Sequence, residues 1–220
     1  MTSLYYYLID DPLSLPLFME KLSLLPADQQ EKIKKFRRWQ DAHASLFGKL
    51  LLKQGLLDCG IAINLNEIKY NAYGKPYFEN DLVGFNITHS GNFVACIISN
   101  DTTTIGIDAE VIKALNIDDF QNLWNINEWA DIQNNDVNVF YKYWTSKEAV
   151  VKAIGKGLSI SLNEINVNNG VAQMGNENYF ITNVNILPHV VINVASKQPV
   201  SDVRIYKFNI QGALIKSEVE

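Results

Sequence analysis

A seven-residue stretch occurs twice in this chain, and that repetition constrains the fold more than any other feature. Leu65-Asn66-Glu67-Ile68-Lys69-Tyr70-Asn71 returns as Leu162-Asn163-Glu164-Ile165-Asn166-Val167-Asn168, with five of the seven positions identical. Trp39, Ala42, Gly48 and Leu56 precede the first copy, and Trp144, Ala149, Gly155 and Leu158 precede the second in a similar helical context. After each copy the chain turns into short β-branched runs. Two similar halves are expected, 1–102 and 103–220, joined near Asn100 to Thr104.

Within each half the pattern reads as a long amphipathic helix followed by short strands. In the first half, Ile33, Phe36, Ala44, Phe47, Leu50 and Leu51 recur at helical spacing between Asp28, a helix-capping residue type, and Gly55, a helix-ending one. Strands are expected near Ile68–Tyr70, Tyr77–Phe78, Phe93–Ser99 and Ile105–Glu110. In the second half they fall near Ile165–Val167, Val171–Met174, Tyr179–Val184, Val190–Ala195 and Val203–Phe208, with Asn169-Gly170 as a hairpin turn. Helices at Ile117–Trp124 and Val137–Trp144 fill the middle. No alternation of strands with crossover helices appears, so the class is α+β with antiparallel sheets.

Composition removes several classes of function. The 220 residues are 47% hydrophobic and 20% charged, as in ordinary globular proteins, and the formal charge of −5 argues against general nucleic-acid binding. Apolar runs such as Phe93–Ile98 fall far short of the roughly 18 residues that span a bilayer. Met1–Ile9 is too short for a secretory signal and runs into Asp10-Asp11-Pro12, which predicts a cytoplasmic protein. Cys59 and Cys96 are far apart, with neither metal-ligand nor disulfide-framework spacing. The basic residues are concentrated: Lys32, Lys34, Lys35, Arg37, Arg38, Lys49 and Lys53 lie in one helical segment, as either a solvated face or an anion site.

Four short motifs carry chemistry. Ile105-Gly106-Ile107-Asp108-Ala109-Glu110 reads as a strand in which Asp108 and Glu110 share a face. Two such carboxylates repel unless a cation sits between them, and oxygen ligands suit Mg²⁺. Thr145-Ser146-Lys147-Glu148 reads as a helix start capped by Thr145, with Glu148 and Lys152 four apart on one face near its positive end. Tyr73-Gly74-Lys75-Pro76 is a turn that presents a lysine. Asn86-Ile87-Thr88-His89-Ser90-Gly91 sets Thr88 and His89 side by side before a turn, as donors for a phosphate.

In this order, Gly74-Lys75-Pro76, Asn86-Ile87-Thr88-His89-Ser90, Gly106-Ile107-Asp108-Ala109-Glu110 and Trp144-Thr145-Ser146-Lys147-Glu148 through Lys152 to Leu158, the chain resembles the Sfp-type 4'-phosphopantetheinyl transferases. The likeness spans both halves and implies a pseudo-twofold arrangement, each half a long helix packed on a small antiparallel sheet. It also implies that the phosphopantetheine arm of coenzyme A passes to a serine of an acyl, peptidyl or aryl carrier protein, releasing 3',5'-ADP. Asp108, Glu110 and Glu148 would hold Mg²⁺. Lys152 would contact a phosphate oxygen or protonate the leaving group, and Glu148 would be the general base on the serine. Lys75, Thr88 and His89 would bind the nucleotide and its phosphates.

One departure stands out. Similar proteins often carry an arginine, used on the 3'-phosphate, just after the Asp-Ala-His that matches Asp41-Ala42-His43, and here the position is Ala44. Lys32, Lys35, Arg38 or Lys49 is expected to substitute, with Lys32 taken first. The apolar segment holding Leu115, Ile117, Phe120, Leu123, Trp124 and Trp129 falls where the family docks its carrier. Two other readings use the same residues: a metal-dependent hydrolase of the coenzyme A pyrophosphate, and a protein that binds coenzyme A or a carrier without turnover. One chain suffices to build a cleft between halves, so a monomer is expected.

Overall fold

All seven residues of the strand Phe93–Ser99 are buried, because it is apolar on both faces and has neighbours on both edges. It is an interior strand, next to the edge, of the first of two five-stranded sheets in the computed structural model of the chain. The structure describes residues 1–62, 64–79, 82–200 and 202–210, and the backbone of 214–216. The elements in chain order are β1 (Thr2–Leu8), α1 (Leu15–Leu22), α2 (Ala27–Lys34), α3 (Trp39–Asp58), β2 (Lys69–Tyr70), β3 (Pro76–Tyr77), β4 (Gly84–Ser90), β5 (Phe93–Ser99) and β6 (Ile105–Val111). There follow α4 (Ile126–Asn134), α5 (Val137–Ile154), β7 (Ile165–Asn168), β8 (Val171–Met174), β9 (Glu177–Asn183), β10 (Val190–Ser196), β11 (Val203–Phe208) and β12 (Leu214–Lys216). Both copies of Leu-Asn-Glu form a 3-10 turn, at Leu65–Glu67 and Leu162–Glu164, so the repeat has one local structure.

The first sheet has the order β12-β11-β1-β5-β4 and the second β6-β10-β9-β8-β7. They pack face to face. Leu4, Tyr6, Phe93, Ala95 and Ile97 from one meet Ile105, Ile107, Ala109, Ile192 and Val194 from the other. The outer face of the first sheet is covered by Leu46, Phe47, Leu50 and Leu51 of α3, and that of the second by Ala149, Val150 and Ala153 of α5. The result is a helix, sheet, sheet, helix stack, the expected α+β architecture of two halves. Asn169 and Gly170 both have positive φ, at 46° and 75°, and join β7 to β8 as the hairpin that this dipeptide favours.

Three expectations need correction. The helix expected from Asp28 to Gln54 is two helices. From Lys34 to Gln40 every residue is exposed, so nothing holds that stretch in helical register, and the second helix starts only at Trp39. Asp28 lies in the first turn after the cap Pro26, and Gly55 lies inside α3, where a Cβ would stand 2.2 Å from Ile98 Cδ1. Thr145 is no cap. The apolar stripe of α5 runs straight through it, Asp136 caps the helix by accepting from Asn138 N, and Thr145 Oγ1 donates to Tyr141 O at 2.7 Å. Glu148 and Lys152 therefore lie in the C-terminal half of α5, away from its positive end. Third, the sheets are not wholly antiparallel: β1 pairs with β11 in parallel, Thr2 opposite Val203.

Gly106 sets how closely α5 lies on β6. A Cβ there would stand 2.1 Å from Ala149 O and 2.4 Å from Ala153 N, so only glycine lets the helix carrying Glu148 and Lys152 rest on the strand carrying Asp108 and Glu110. Lys147 fastens the same helix elsewhere. Its fully buried ammonium donates to Glu128 Oε2 at 2.6 Å, Leu162 O at 3.0 Å and Leu123 O at 3.1 Å, and lies over the Trp124 ring. Glu128 in turn accepts from Val167 N and Asn125 N. The segment before α4 is thereby tied to α5 and β7.

Candidate functional site

The inner edges of the two sheets, β4 and β6, do not share a backbone ladder. Side chains from alternate positions of β4 bridge the gap. Asn86 Oδ1 accepts from Ile107 N at 3.0 Å, Thr88 Oγ1 donates to Asp108 Oδ1 at 3.3 Å, and Ser90 Oγ donates to Glu110 Oε2 at 2.6 Å. From α5, Lys152 Nζ reaches Asp108 Oδ1 at 2.6 Å and Thr88 Oγ1 at 3.0 Å. The sequence-predicted residues Asp108, Glu110, Thr88 and Lys152 thus meet along one seam, and Glu148 stands one helical turn before Lys152 on α5.

Charge and burial at this seam are in tension. Asp108 is only 5% exposed, and burial raises its carboxyl above the ordinary range, with Lys152 opposing and Glu110 adding to the rise. Burial likewise raises Glu148, and Asp108 raises it further. Asp108 Oδ2 is buried and has no hydrogen-bond partner. An acceptor left open in this way is a place for a cation or a donating ligand. Among the described residues, however, no three acidic, histidine or cysteine side chains stand close enough to hold a metal ion. The oxygen-only donor set fits Mg²⁺ chemically, with Asp108 Oδ2 open and Glu110 Oε1 not engaged by Ser90, while the Glu148 side chain would have to turn toward them.

Because the native state holds the Asp108 proton more tightly than the unfolded chain does, stability falls as pH rises past the ordinary aspartate value of 3.8. Asp108→Asn is expected to flatten that fall, so that the variant's melting temperature drops less than the wild type's as pH is raised from the ordinary aspartate value. A parallel pair of Tm-against-pH curves would disprove this.

Two cavities flank the seam. One, of about 740 Å³, is lined by Lys75, Asn86, Trp144, Glu148, Lys152 and Leu158 among others. The second, of about 460 Å³, is lined by Arg38, Asp41, Ala44, His89 and Lys113 with their neighbours. The His89 ring is held below its usual pKa, first by partial removal from water and second by Lys152. Lys32 lies outside both linings, pairing with Asp28 at 3.6 Å and lying over Tyr70. Lys75 borders the larger cavity, but its ammonium donates to Ala153 O at 2.7 Å and Ile105 O at 3.2 Å, and burial holds its pKa down to about 8. Asn71 Nδ2 adds a bond to Gly155 O, so the turn closes over the C-terminal carbonyls of α5.

Sequence reasoning missed Lys113, which had no motif around it, and left Arg38 as one of several choices. It also read Asn86–Ser90 only as a segment before a turn, although the alternation of Phe85 and Ile87 with Asn86, Thr88 and Ser90 marks a strand. His43, beside the Ala44 departure, is structural: its Nε2 accepts from Leu13 N at 3.0 Å, which leaves Nδ1–H to donate to Trp39 O.

A family model described as 4'-phosphopantetheinyl transferase superfamily matches residues 104–191, and one described as 4'-phosphopantetheinyl transferase, N-terminal, matches 14–101. A 4'-phosphopantetheinyl transferase of Bacillus subtilis is 33% identical over 175 residues, 74% of this chain and 75% of its own. The protein named 4'-phosphopantetheinyl transferase Sfp from Bacillus subtilis strain 168 is 31% identical over 172 residues, again 74% and 75%. One from Aneurinibacillus migulanus is 36% identical over 141 residues, 62% of this chain and 58% of its own. With two family models meeting at the junction of the halves and relatives alike along three quarters of both chains, this chain belongs to the 4'-phosphopantetheinyl transferase superfamily.

Proposed function

We propose that the protein transfers the phosphopantetheine arm of coenzyme A to a serine of an acyl, peptidyl or aryl carrier protein, in the manner of a holo-acyl-carrier-protein synthase. The observation that supports it most is the meeting of Asp108, Thr88 and Lys152, with Glu148 close by, at a seam between two cavities. The serine oxygen forms a bond to the phosphorus that bears the arm. The bond from that phosphorus to the bridging pyrophosphate oxygen breaks, and 3',5'-ADP leaves with that oxygen. Glu148 takes the serine proton, since a carboxylate raised by burial is a better base near neutral pH. Lys152 neutralises or protonates the departing phosphate. Asp108, Glu110 and Glu148 would hold Mg²⁺, which supplies charge stabilisation for the pyrophosphate when bound.

Thr88 and His89 bind the nucleotide phosphates in this reading. Lys75 contributes the shape of its turn, because its ammonium is engaged with backbone carbonyls. The role left open by Ala44 passes to Arg38, with Lys113, because both line the cavity that holds His89 and Lys32 does not. Arg38→Ala is expected to raise KM for coenzyme A about 10-fold or more with kcat little changed, since a charge-assisted contact contributes about 1.5–3 kcal/mol. Lys32→Ala should leave KM within about twofold; the reverse ranking would return the role to Lys32. The two halves, 1–102 and 103–220, supply the cleft from one chain, so a monomer in the cytoplasm suffices.

The deciding test is intact mass spectrometry of a panel of apo carrier proteins incubated with this protein, coenzyme A and Mg²⁺, with EDTA as control. A gain of one phosphopantetheine arm, lost with EDTA, is the expected result. Coenzyme A consumed without carrier modification would mean hydrolysis, and coenzyme A intact with no carrier modified would mean binding without turnover.

A further inference from the structure

We propose that Ser90 is a positioning residue for Glu110, an inference that rests on the transferase reading above. β6 is an edge strand on its β4 side, and an edge N–H buried beside another sheet needs a partner. Asn86 supplies one, to Ile107 N. Ser90 supplies another, its Oγ accepting from Val111 N at 3.1 Å. A backbone N–H can only donate, and a hydroxyl has one proton, so that proton is free to go to a second group. It goes to Glu110 Oε2 at 2.6 Å, the length of a charge-assisted O–H···O bond.

The direction of both bonds follows from this inventory. Ser90 fastens the end of β6 and the Glu110 carboxylate with one side chain, whereas Asn86 fastens backbone alone. The turn beyond it reinforces the placement. Gly91, at φ +56°, brings the β4–β5 turn against the end of β6, where a Cβ would stand 3.2 Å from Val111 Cγ2. Glu110 Oε2 is thereby held on the β4 side, with Oε1 uncommitted to any described hydrogen bond. Of the three carboxylates proposed for Mg²⁺, Asp108 and Glu110 are each held by a hydroxyl of the opposite half, Asp108 by Thr88 and Glu110 by Ser90.

Partners of this kind, one step removed from a metal ligand, typically alter metal affinity 10- to 100-fold when lost. Ser90→Ala is therefore expected to raise the Mg²⁺ concentration for half-maximal carrier modification about 10-fold or more, with kcat at saturating Mg²⁺ within a few-fold of wild type. Ser90→Thr, which keeps the hydroxyl, should restore the requirement. A readout without turnover is the rise in melting temperature that Mg²⁺ plus coenzyme A produces, which Ser90→Ala should reduce at sub-saturating Mg²⁺.

The decisive comparison pairs Ser90→Ala with Glu110→Gln. If Ser90 acts through Glu110, its loss adds little to the Mg²⁺ requirement once the carboxylate is gone, and in Tm, where Ser90 also serves Val111 N, the two losses together fall short of their sum. Fully additive effects, or a Ser90→Ala variant with the wild-type Mg²⁺ requirement, would overturn the proposal. A wild-type protein that modifies no carrier would instead defeat the transferase reading. The Tm cycle would still test the bond, and absence of coupling there would overturn the positioning role by itself.

Discussion

Lys147→Met is expected to destabilise the protein by about 3–5 kcal/mol, because it removes one partner of a buried ion pair and leaves the other without its counter-charge. The side chains of Lys147 and Glu128 are 0% and 2% exposed, so neither can recover its lost partner from water. Two backbone carbonyls, Leu123 O and Leu162 O, lose their donor as well. For a chain of this size the cost corresponds to a fall in Tm of roughly 6–20 °C. Adding Glu128→Met should recover part of that fall, since it removes the stranded carboxylate. A Lys147→Met protein that melted within a degree or two of wild type would show that the pair contributes nothing to stability.

Glu148→Gln is expected to lower kcat of carrier modification by about 10²–10⁴-fold while leaving KM for coenzyme A within a few-fold, which is the effect of removing a general base that is also a proposed metal ligand. The pH profile separates this from a packing defect. Burial and Asp108 both hold the Glu148 carboxyl above its ordinary value of 4.5, and the base works only when deprotonated. The wild-type rate should therefore fall, as pH is lowered, sooner than an ordinary glutamate would make it fall, and the Gln variant should lose that limb. A variant that kept both rate and limb would remove Glu148 from the chemistry.

The site was more legible than the frame around it. Asp108 and Glu110 share a face because strand alternation places them there, and Glu148 and Lys152 share one because four residues make one helical turn; both rules act over a few residues. The Lys152–Thr88 and Lys152–Asp108 contacts, by contrast, join residues 64 and 44 apart, and only the packing of α5 on β6 at Gly106 makes them. The break before α3 was hidden because Ile33 and Phe36 continue the helical spacing, although Phe36 is exposed. Thr145 looked like a cap because threonine serves as one, yet inside a helix its hydroxyl bonds the preceding turn. Lys147 sits in the same motif as Glu148, and no local rule separates the buried fastening from the reactive group.

The parallel pairing of β1 with β11 sets the order in which this polypeptide can become a protein. Thr2–Leu8 leaves the ribosome about two hundred residues before the strand that covers its outer edge, Val203–Phe208. The β4–β5 hairpin can complete one side of β1 early. The other side, and with it the first sheet, stays open until Val203–Phe208 has been made. Closing a loop of about two hundred residues is slow, and the exposed strand edge is meanwhile available to other chains. Completion of the first sheet thus waits on a strand from the other half.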